Sequence, residues 1–276
     1  MIRAGIHVSI RSGFYGAVRT AAQLGCGVYQ YFPKNPRSLS LKTIHTIDAA
    51  QCKSHAARMD IQSVAHSSYL VNLAGDDQAY ADAVLRCLQN DLEIAEACGS
   101  IGVVAHVGKY KGKDTLQGYR NIIQLLNRLL AKWDGQALLL LENQAGGLGV
   151  TMEELTSIRS LCDYPDKIGF CFDTCHAYAG GLWDGGNWER LEEAGACNGF
   201  WRQVKVVHLN DSRYGFATGK DAHANIGYGS IGLPGFRDCL SSPVIRGLPL
   251  VLETPRHVQL SVEEELAVVT RLASVT

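Results

Sequence analysis

Residues 137–142 read Ala137-Leu138-Leu139-Leu140-Leu141-Glu142, an apolar run of strand length closed by a carboxylate. A short unbroken apolar run is what a strand covered on both faces requires. The same design recurs in Ile2 to His7, Ile61 to His66, Ile101 to His106, Ile168 to Asp173, Val204 to His208 and Leu248 to Glu253. An eighth run, Val28 to Phe32, passes into Pro33-Lys34-Asn35 instead. Between the runs lie segments with helical spacing, such as Ala79-Ala83-Leu85-Leu88-Leu92-Ile94-Ala95 and Ile122-Leu125-Leu126-Leu129-Leu130. Strand and helix alternate about eight times, which implies parallel strands joined by crossover helices. Eight such units in roughly 250 residues make an α/β fold of the (β/α)8 TIM-barrel type. Chemistry in that fold sits at the C-terminal ends of the strands. His7, His66, His106, Glu142, Asp173, His208 and Glu253 are therefore expected to share one rim although they are far apart in sequence.

The 276 residues, 46% of them hydrophobic, suffice to bury one large core, and no Pro- or Ser-rich linker divides them. A single domain spanning residues 1–276 is expected. Met1-Ile2-Arg3-Ala4-Gly5-Ile6-His7 leads directly into a strand, and no run of 18 apolar residues could cross a bilayer. A cytoplasmic location without membrane attachment is the expectation. The nine cysteines are odd in number and scattered, as reduced thiols would be. Cys171 precedes Asp173 by two residues, so strand alternation points it the same way, one layer deeper in the barrel.

Imidazole and carboxylate groups are the nitrogen and oxygen ligands that suit zinc, manganese or iron, and a carboxylate can bridge two cations. One histidine at a strand end is more often a packed core residue than a ligand. Six strands ending in a possible ligand, from His66 to Glu253, are harder to dismiss. Two groups off the strands enlarge the set. His176 follows Asp173 by three residues, within one turn, and Asp221-Ala222-His223 sets two ligands two apart, where an extended loop points them the same way.

Several of these pieces fall in one recognisable order. They include Gly5-Ile6-His7-Val8-Ser9, Lys34-Asn35-Pro36-Arg37, His66-Ser67-Ser68-Tyr69-Leu70, Leu141-Glu142-Asn143 and Phe172-Asp173-Thr174-Cys175-His176. His208-Leu209-Asn210-Asp211-Ser212, the stretch Asp221 to Gly232 and Leu252-Glu253-Thr254-Pro255 follow. Over nearly its whole length the chain resembles the endonuclease IV family, metal-dependent apurinic/apyrimidinic-site endonucleases of DNA base-excision repair. The resemblance implies three zinc ions, with manganese or iron as possible substitutes. One would take His66, His106 and Glu142; a second would share Glu142 and add Asp173, His208 and Glu253; the third would take His176, Asp221 and His223.

It also implies hydrolysis, by a metal-activated hydroxide, of the phosphodiester 5′ to an abasic site, giving 3′-hydroxyl and 5′-deoxyribose phosphate ends, with trimming of blocked 3′ ends. Glu142, Asp173 and Glu253 would carry catalytic roles by fixing the metals and orienting the water. The implied partner is double-stranded DNA with abasic sites or blocked 3′ ends, bound by a monomer that uses no nucleotide cofactor. Arg37, Tyr69 and Leu70 would enter the duplex at the lesion, while Lys34 and His7 would serve DNA contact or phosphate binding. A formal charge of −1 is unusual for a DNA enzyme, but bound divalent ions would make the site locally positive. Lys109, Lys111, Lys113, Arg213 and Lys220 are further candidates for the phosphate backbone.

The chain departs from the common family pattern at Ser38 and Leu39, where the aromatic ring beside the inserted arginine is missing, and at Val107 and Gln144. These departures bear on loop geometry and substrate range, since none removes a ligand. Metal-dependent sugar isomerases and epimerases share this barrel and a similar rim, and form the alternative class. The trio His176, Asp221 and His223, together with Tyr69 and Leu70, separates the two. Gly227-Tyr228-Gly229-Ser230-Ile231-Gly232 also fits a dinucleotide-binding fingerprint, but polar loop rather than a strand precedes it. An inactive barrel kept for DNA binding would have no need of the complete ligand set.

Overall fold

The computed structural model describes residues 2–256 and 258–274. Eight parallel strands close into a barrel: β1 (Arg3–His7), β2 (Val28–Tyr31), β3 (Gln62–His66), β4 (Gly102–His106), β5 (Leu138–Glu142), β6 (Ile168–Asp173), β7 (Val204–His208) and, after a small hairpin, β10 (Pro249–Leu252). The hairpin consists of β8 (Asp211–Ser212) and β9 (His223–Ala224), paired antiparallel. Each apolar run of the sequence became a strand. Only Glu253 lies one residue beyond its strand.

Helices such as Gln78–Cys98 and Thr115–Leu130 form the outer layer. The first of these shows how the sequence sets their limits. The Asp77 side chain accepts from the Tyr80 backbone N–H at its start, and Gly99 closes it in the left-handed conformation at φ 72°. Its buried stripe of Leu88, Leu92, Ile94 and Ala95 packs in the main core between strands and helices.

The barrel interior is filled rather than hollow. Val28, Val64, Val104, Leu140, Cys171, Val206 and Val251 form a fully buried layer, one from each of seven strands. Cys171 is thus a small apolar member of that layer, as strand alternation requires. The eighth strand brings Gly5 into register with Val28 and Val251. A Cβ there would lie 1.6 Å from the Val28 carbonyl oxygen, so glycine is the residue that lets β1 close the barrel. Above the layer, parallel register sets His106 beside Glu142 and Asp173 beside His208. Strand ends far apart in sequence thereby meet at one rim.

Candidate metal centre

Glu142 lies at the middle of the rim. One of its oxygens, Oε2, is 3.0 Å from His106 Nε2 and 3.5 Å from His66 Nε2; the other, Oε1, is 2.8 Å from His208 Nδ1 and 3.4 Å from His176 Nδ1. Three groups of side chains bring their potential ligand atoms within 4.8 Å of one another: His66, His106 and Glu142; Glu142, Asp173, His208 and Glu253; and His176, Asp221 and His223. These are the nine residues expected from the sequence, in the same three sets. The third set comes from outside the barrel strands. His176 lies in the short helix Thr174–Ala179, and Asp173 caps that helix by accepting from the His176 N–H at 2.7 Å. Asp221 and His223 come from the β8–β9 hairpin, where Asp221 Oδ2 is 3.1 Å from His176 Nε2 and Asp221 Oδ1 is 3.3 Å from His223 Nε2.

Backbone carbonyls orient most of these imidazoles. Nδ1 of His66 faces Ser67 O at 2.8 Å, that of His176 faces Asn143 O at 2.9 Å, and that of His223 faces Glu253 O at 3.4 Å. A carbonyl accepts only, so each Nδ1 carries hydrogen, and Nε2 is the nitrogen left for a ligand. Two amides hold the residues that bear the carboxylates. Asn143 pairs with both backbone groups of Asp173. The Asn210 amide donates to Asp173 Oδ2 at 2.7 Å and Glu253 Oε2 at 3.2 Å.

Charge in the cluster is balanced internally. Burial would raise the Glu142 carboxyl, but the imidazoles of His208 and His106 outweigh it and hold the group well below the usual carboxylate range. Glu253 is likewise brought down to about 2 by His208 and His223 against the effect of burial. Burial lowers His223, yet Asp221 and Asp173 carry it up to about 9. Protons on the imidazoles thus offset the carboxylates, and a divalent cation would replace those protons.

The residues fit a metal. Among the described residues, the buried side-chain atoms lacking a hydrogen-bond partner are Glu142 Oε2, His223 Nε2 and Asp91 Oδ1. Asp91 faces a lysine, described below; the other two are a carboxylate oxygen and an imidazole nitrogen aimed into the cluster, as ligand atoms are. Cys171 and Cys175 also come close, in groups with Glu142 and His208 or with Asp173 and His223. Burial pushes both thiols up to about 12, which keeps them protonated, so the nitrogen and oxygen donors form the better set.

The remaining expected residues divide. Arg37 is exposed, and Tyr69 and Leu70 are 61% and 45% exposed, so neither apolar side chain is packed into the loop. Hydrogen bonds from Tyr69 N and Ser68 Oγ to Pro36 O, each 2.9 Å, tie this loop to the one bearing Arg37. Tyr69 lines the open cleft of about 430 Å³ above the cluster, together with His66, His106, His176 and Asp221. His7 stands at the same rim beside Phe32, with ring centroids 4.5 Å apart, and burial lowers its imidazole to about 4. Lys109, Lys111, Lys113, Arg213 and Lys220 are exposed.

Lys34 corrects the sequence expectation. Its ammonium turns inward, 3.0 Å from Asp91 Oδ1 and 2.8 Å from Cys87 O, with the side chain 5% exposed. A cation so enclosed is held by the protein and does not reach a DNA phosphate. His45 accepts from the Asp48 N–H at the start of the helix Thr46–Met59, which contains His55. His257, to which the sequence assigned no role, lies outside the described residues.

The sequence missed Asp211. Its carboxylate accepts from the backbone N–H groups of Ser212, Gly227, Gly229, Ile231 and Gly232 at 2.8–3.3 Å. A Cβ on Gly229 would lie 2.4 Å from Asp211 Oδ1. The glycine-rich segment therefore wraps a carboxylate of its own chain, and its amides do not await a pyrophosphate. Gln144, one of the departures noted in the sequence, holds the loop after His106 by bonding both backbone groups of Gly108.

Comparison with known proteins bears on the whole chain. A family model described as a xylose isomerase-like TIM barrel matches residues 18–272. A relative from Symbiobacterium thermophilum, named as a probable endonuclease 4, is 41% identical over 257 residues, covering 92% of this chain and 93% of its own. The chain belongs to the endonuclease IV family. Another probable endonuclease 4, from Methanoculleus marisnigri, is 33% identical and covers 99% of both chains. The crystal structure of endonuclease IV from Thermus thermophilus superposes with a TM-score of 0.85 at 31% identity, covering 98% of each chain. The fold extends further: an Escherichia coli 3-keto-D-glucoside 4-epimerase superposes with a TM-score of 0.70 at 11% identity. The barrel alone therefore does not select the chemistry.

Proposed function

We propose that the chain is a zinc-dependent DNA-repair endonuclease that hydrolyses the phosphodiester 5′ to abasic sites, leaving 3′-hydroxyl and 5′-deoxyribose phosphate ends, and that also trims blocked 3′ ends. Family membership supports the endonuclease class. The observation that carries the finer reading is the off-strand set His176, Asp221 and His223, seated 3.1–3.3 Å apart beside the two strand-end sets. A sugar isomerase working on one hydroxyl pair has no need of a third cationic position, whereas a phosphodiester offers two non-bridging oxygens and a leaving oxygen to be neutralised.

Zinc held there, or manganese or iron in its place, would supply Lewis-acid charge for the phosphate and lower the pKa of the attacking water. The chain's residues do the rest. Glu142 presents one oxygen to each of two ligand sets and so fixes their spacing. Asp173 and Glu253, clamped by Asn210, keep one oxygen each directed into the second set. Arg37, Tyr69 and Leu70 enter the duplex and fill the gap at the lesion. An abasic nucleotide has no base to unstack, so turning it into the cleft costs less than turning an intact one, and this difference selects the substrate. His7 stands at the rim to meet a phosphate. The protein works as a cytoplasmic monomer on double-stranded DNA and needs no nucleotide cofactor.

The deciding experiment incubates the zinc-loaded protein with a duplex carrying one tetrahydrofuran abasic analogue. Incision on the 5′ side of the analogue is expected, with about three metal ions per chain by elemental analysis. Sugar epimerisation without nicking under any metal would favour the isomerase class instead.

A further inference from the structure

Strand β2 gives no ligand to the three sets, yet its Gln30 is fully buried against them. The amide nitrogen Nε2 lies 2.6 Å from Glu253 Oε1 and 3.2 Å from His7 Nδ1, and the amide oxygen Oε1 lies 2.7 Å from His208 Nε2. These contacts fix their own proton positions. The Glu253 carboxylate only accepts, so the NH2 end of Gln30 must face it and the oxygen must face His208. His208 therefore donates from Nε2. Its Nδ1 is the nitrogen that stands 2.8 Å from Glu142 Oε1 and 3.1 Å from Glu253 Oε2, inside the second ligand set. His66, His176 and His223 use backbone carbonyls to present Nε2; His208 is turned the other way, and a side chain performs the task. The second amide hydrogen is directed at His7 Nδ1, which leaves the proton of neutral His7 on Nε2.

We propose that Gln30 is a positioning residue: it selects the Nδ1-ligating tautomer of His208 and directs Glu253 Oε2 inward, and thereby sets how tightly the group Glu142, Asp173, His208 and Glu253 retains a divalent cation. The inference rests on the metal reading of that group given above. Only a side chain with a donor and an acceptor at one end can serve His208 and Glu253 together. A methionine of similar shape offers neither, and a glutamate sets a second carboxylate against Glu253.

Gln30→Met and Gln30→Glu are compared with the unaltered protein by chelator competition, with Zn2+ as the only metal added, and by 15N NMR of the histidine rings. Both variants are expected to bind the zinc of this group roughly 10–100-fold more weakly, the usual range for loss of a partner behind a ligand. The His208 ring should lose its single Nε2–H form in Gln30→Met. Unaltered zinc affinity and an unaltered His208 tautomer in either folded variant would overturn the inference. Unfolding of the metal-free chain in both variants would overturn it as well, by assigning Gln30 to packing. Failure of the unaltered protein to take up zinc would instead overturn the metal reading on which it rests.

Discussion

Replacing Lys34 by methionine is expected to destabilise the protein while leaving its salt-dependent DNA binding unchanged. The ammonium is 3.0 Å from Asp91 Oδ1, with the two side chains 5% and 0% exposed. Besides Lys34, Asp91 has the Cys87 thiol at 3.7 Å. Burial raises the Asp91 carboxyl from 3.8 to about 6, even though Lys34 and Cys87 pull the other way. A folded-state value above the unfolded one means that the group's contribution is fully present below the unfolded value and is lost as pH rises through about 6. At ~1.4 kcal/mol per pH unit, the gap corresponds to ~3 kcal/mol already borne by the intact pair at neutral pH. Without the ammonium the buried carboxylate is uncompensated, at a cost of ~3–5 kcal/mol. That is a fall in Tm of roughly 10 °C for a chain of this size. Urea unfolding of Lys34→Met should show this deficit at pH 7.5 and a smaller one at pH 5, where a protonated Asp91 needs no cation. Lys34→Met/Asp91→Leu should recover much of it. Unchanged stability, together with a salt slope for DNA binding reduced by about one, would place the ammonium on DNA and refute the reasoning.

Glu142→Gln is expected to abolish incision and lower the metal content per chain while the circular dichroism spectrum stays that of the barrel; full incision would show that the shared carboxylate is dispensable. Arg37→Ala and Tyr69→Ala should each weaken binding to an abasic duplex by ~1–3 kcal/mol, the value of a stacking contact, with smaller losses on intact duplex in a gel-shift assay. Equal losses on both would remove these residues from lesion recognition. Asp211→Asn should free the loop 227–232, seen as faster amide hydrogen exchange at Gly227, Gly229 and Ile231, because the amide NH2 cannot accept the bonds that the carboxylate takes; unchanged exchange would mean that the loop holds without it.

The barrel was legible because each strand is a short apolar run, and most of the candidate site because those runs end on residues able to ligate a metal. In a parallel barrel the strand ends converge whatever their distance in sequence. Asp221 and His223 were legible through their spacing, although the hairpin that carries them was not foreseen. Lys34 misled for a physical reason. A lysine in a loop after a strand reads as a solvent-exposed cation, and its partner lies on a different element. The signal was present all the same: Asp91 occupies the apolar stripe of the helix Gln78–Cys98, beside Leu88 and Leu92, and an acid on a buried helix face calls for a cation. Gln30 carried no such signal, because a glutamine in an apolar strand gives no hint of which neighbours it serves until the barrel closes.

The residues that hold the candidate ligands share a property that bears on how such a centre would work. Gln30, Asn143 and Asn210, the side chains that grip Glu253, Asp173 and His208, are neutral amides. An arginine could grip a carboxylate more strongly through two parallel bonds, but its permanent charge would satisfy the oxygen it held and compete with a metal for it. An amide donates a hydrogen bond and fixes the direction of the oxygen without neutralising it. Among the described residues, the carboxylates Glu142, Asp173, Asp221 and Glu253 are therefore balanced by the imidazoles around them, and imidazoles can give up their protons. A centre built this way keeps its geometry when the protons leave and its negative charge when a cation arrives. An arginine or lysine in place of Gln30, Asn143 or Asn210 would add a permanent charge and remove the acceptor oxygen that serves His208, the Asp173 N–H or the Glu253 N–H, so geometry and affinity would be lost together.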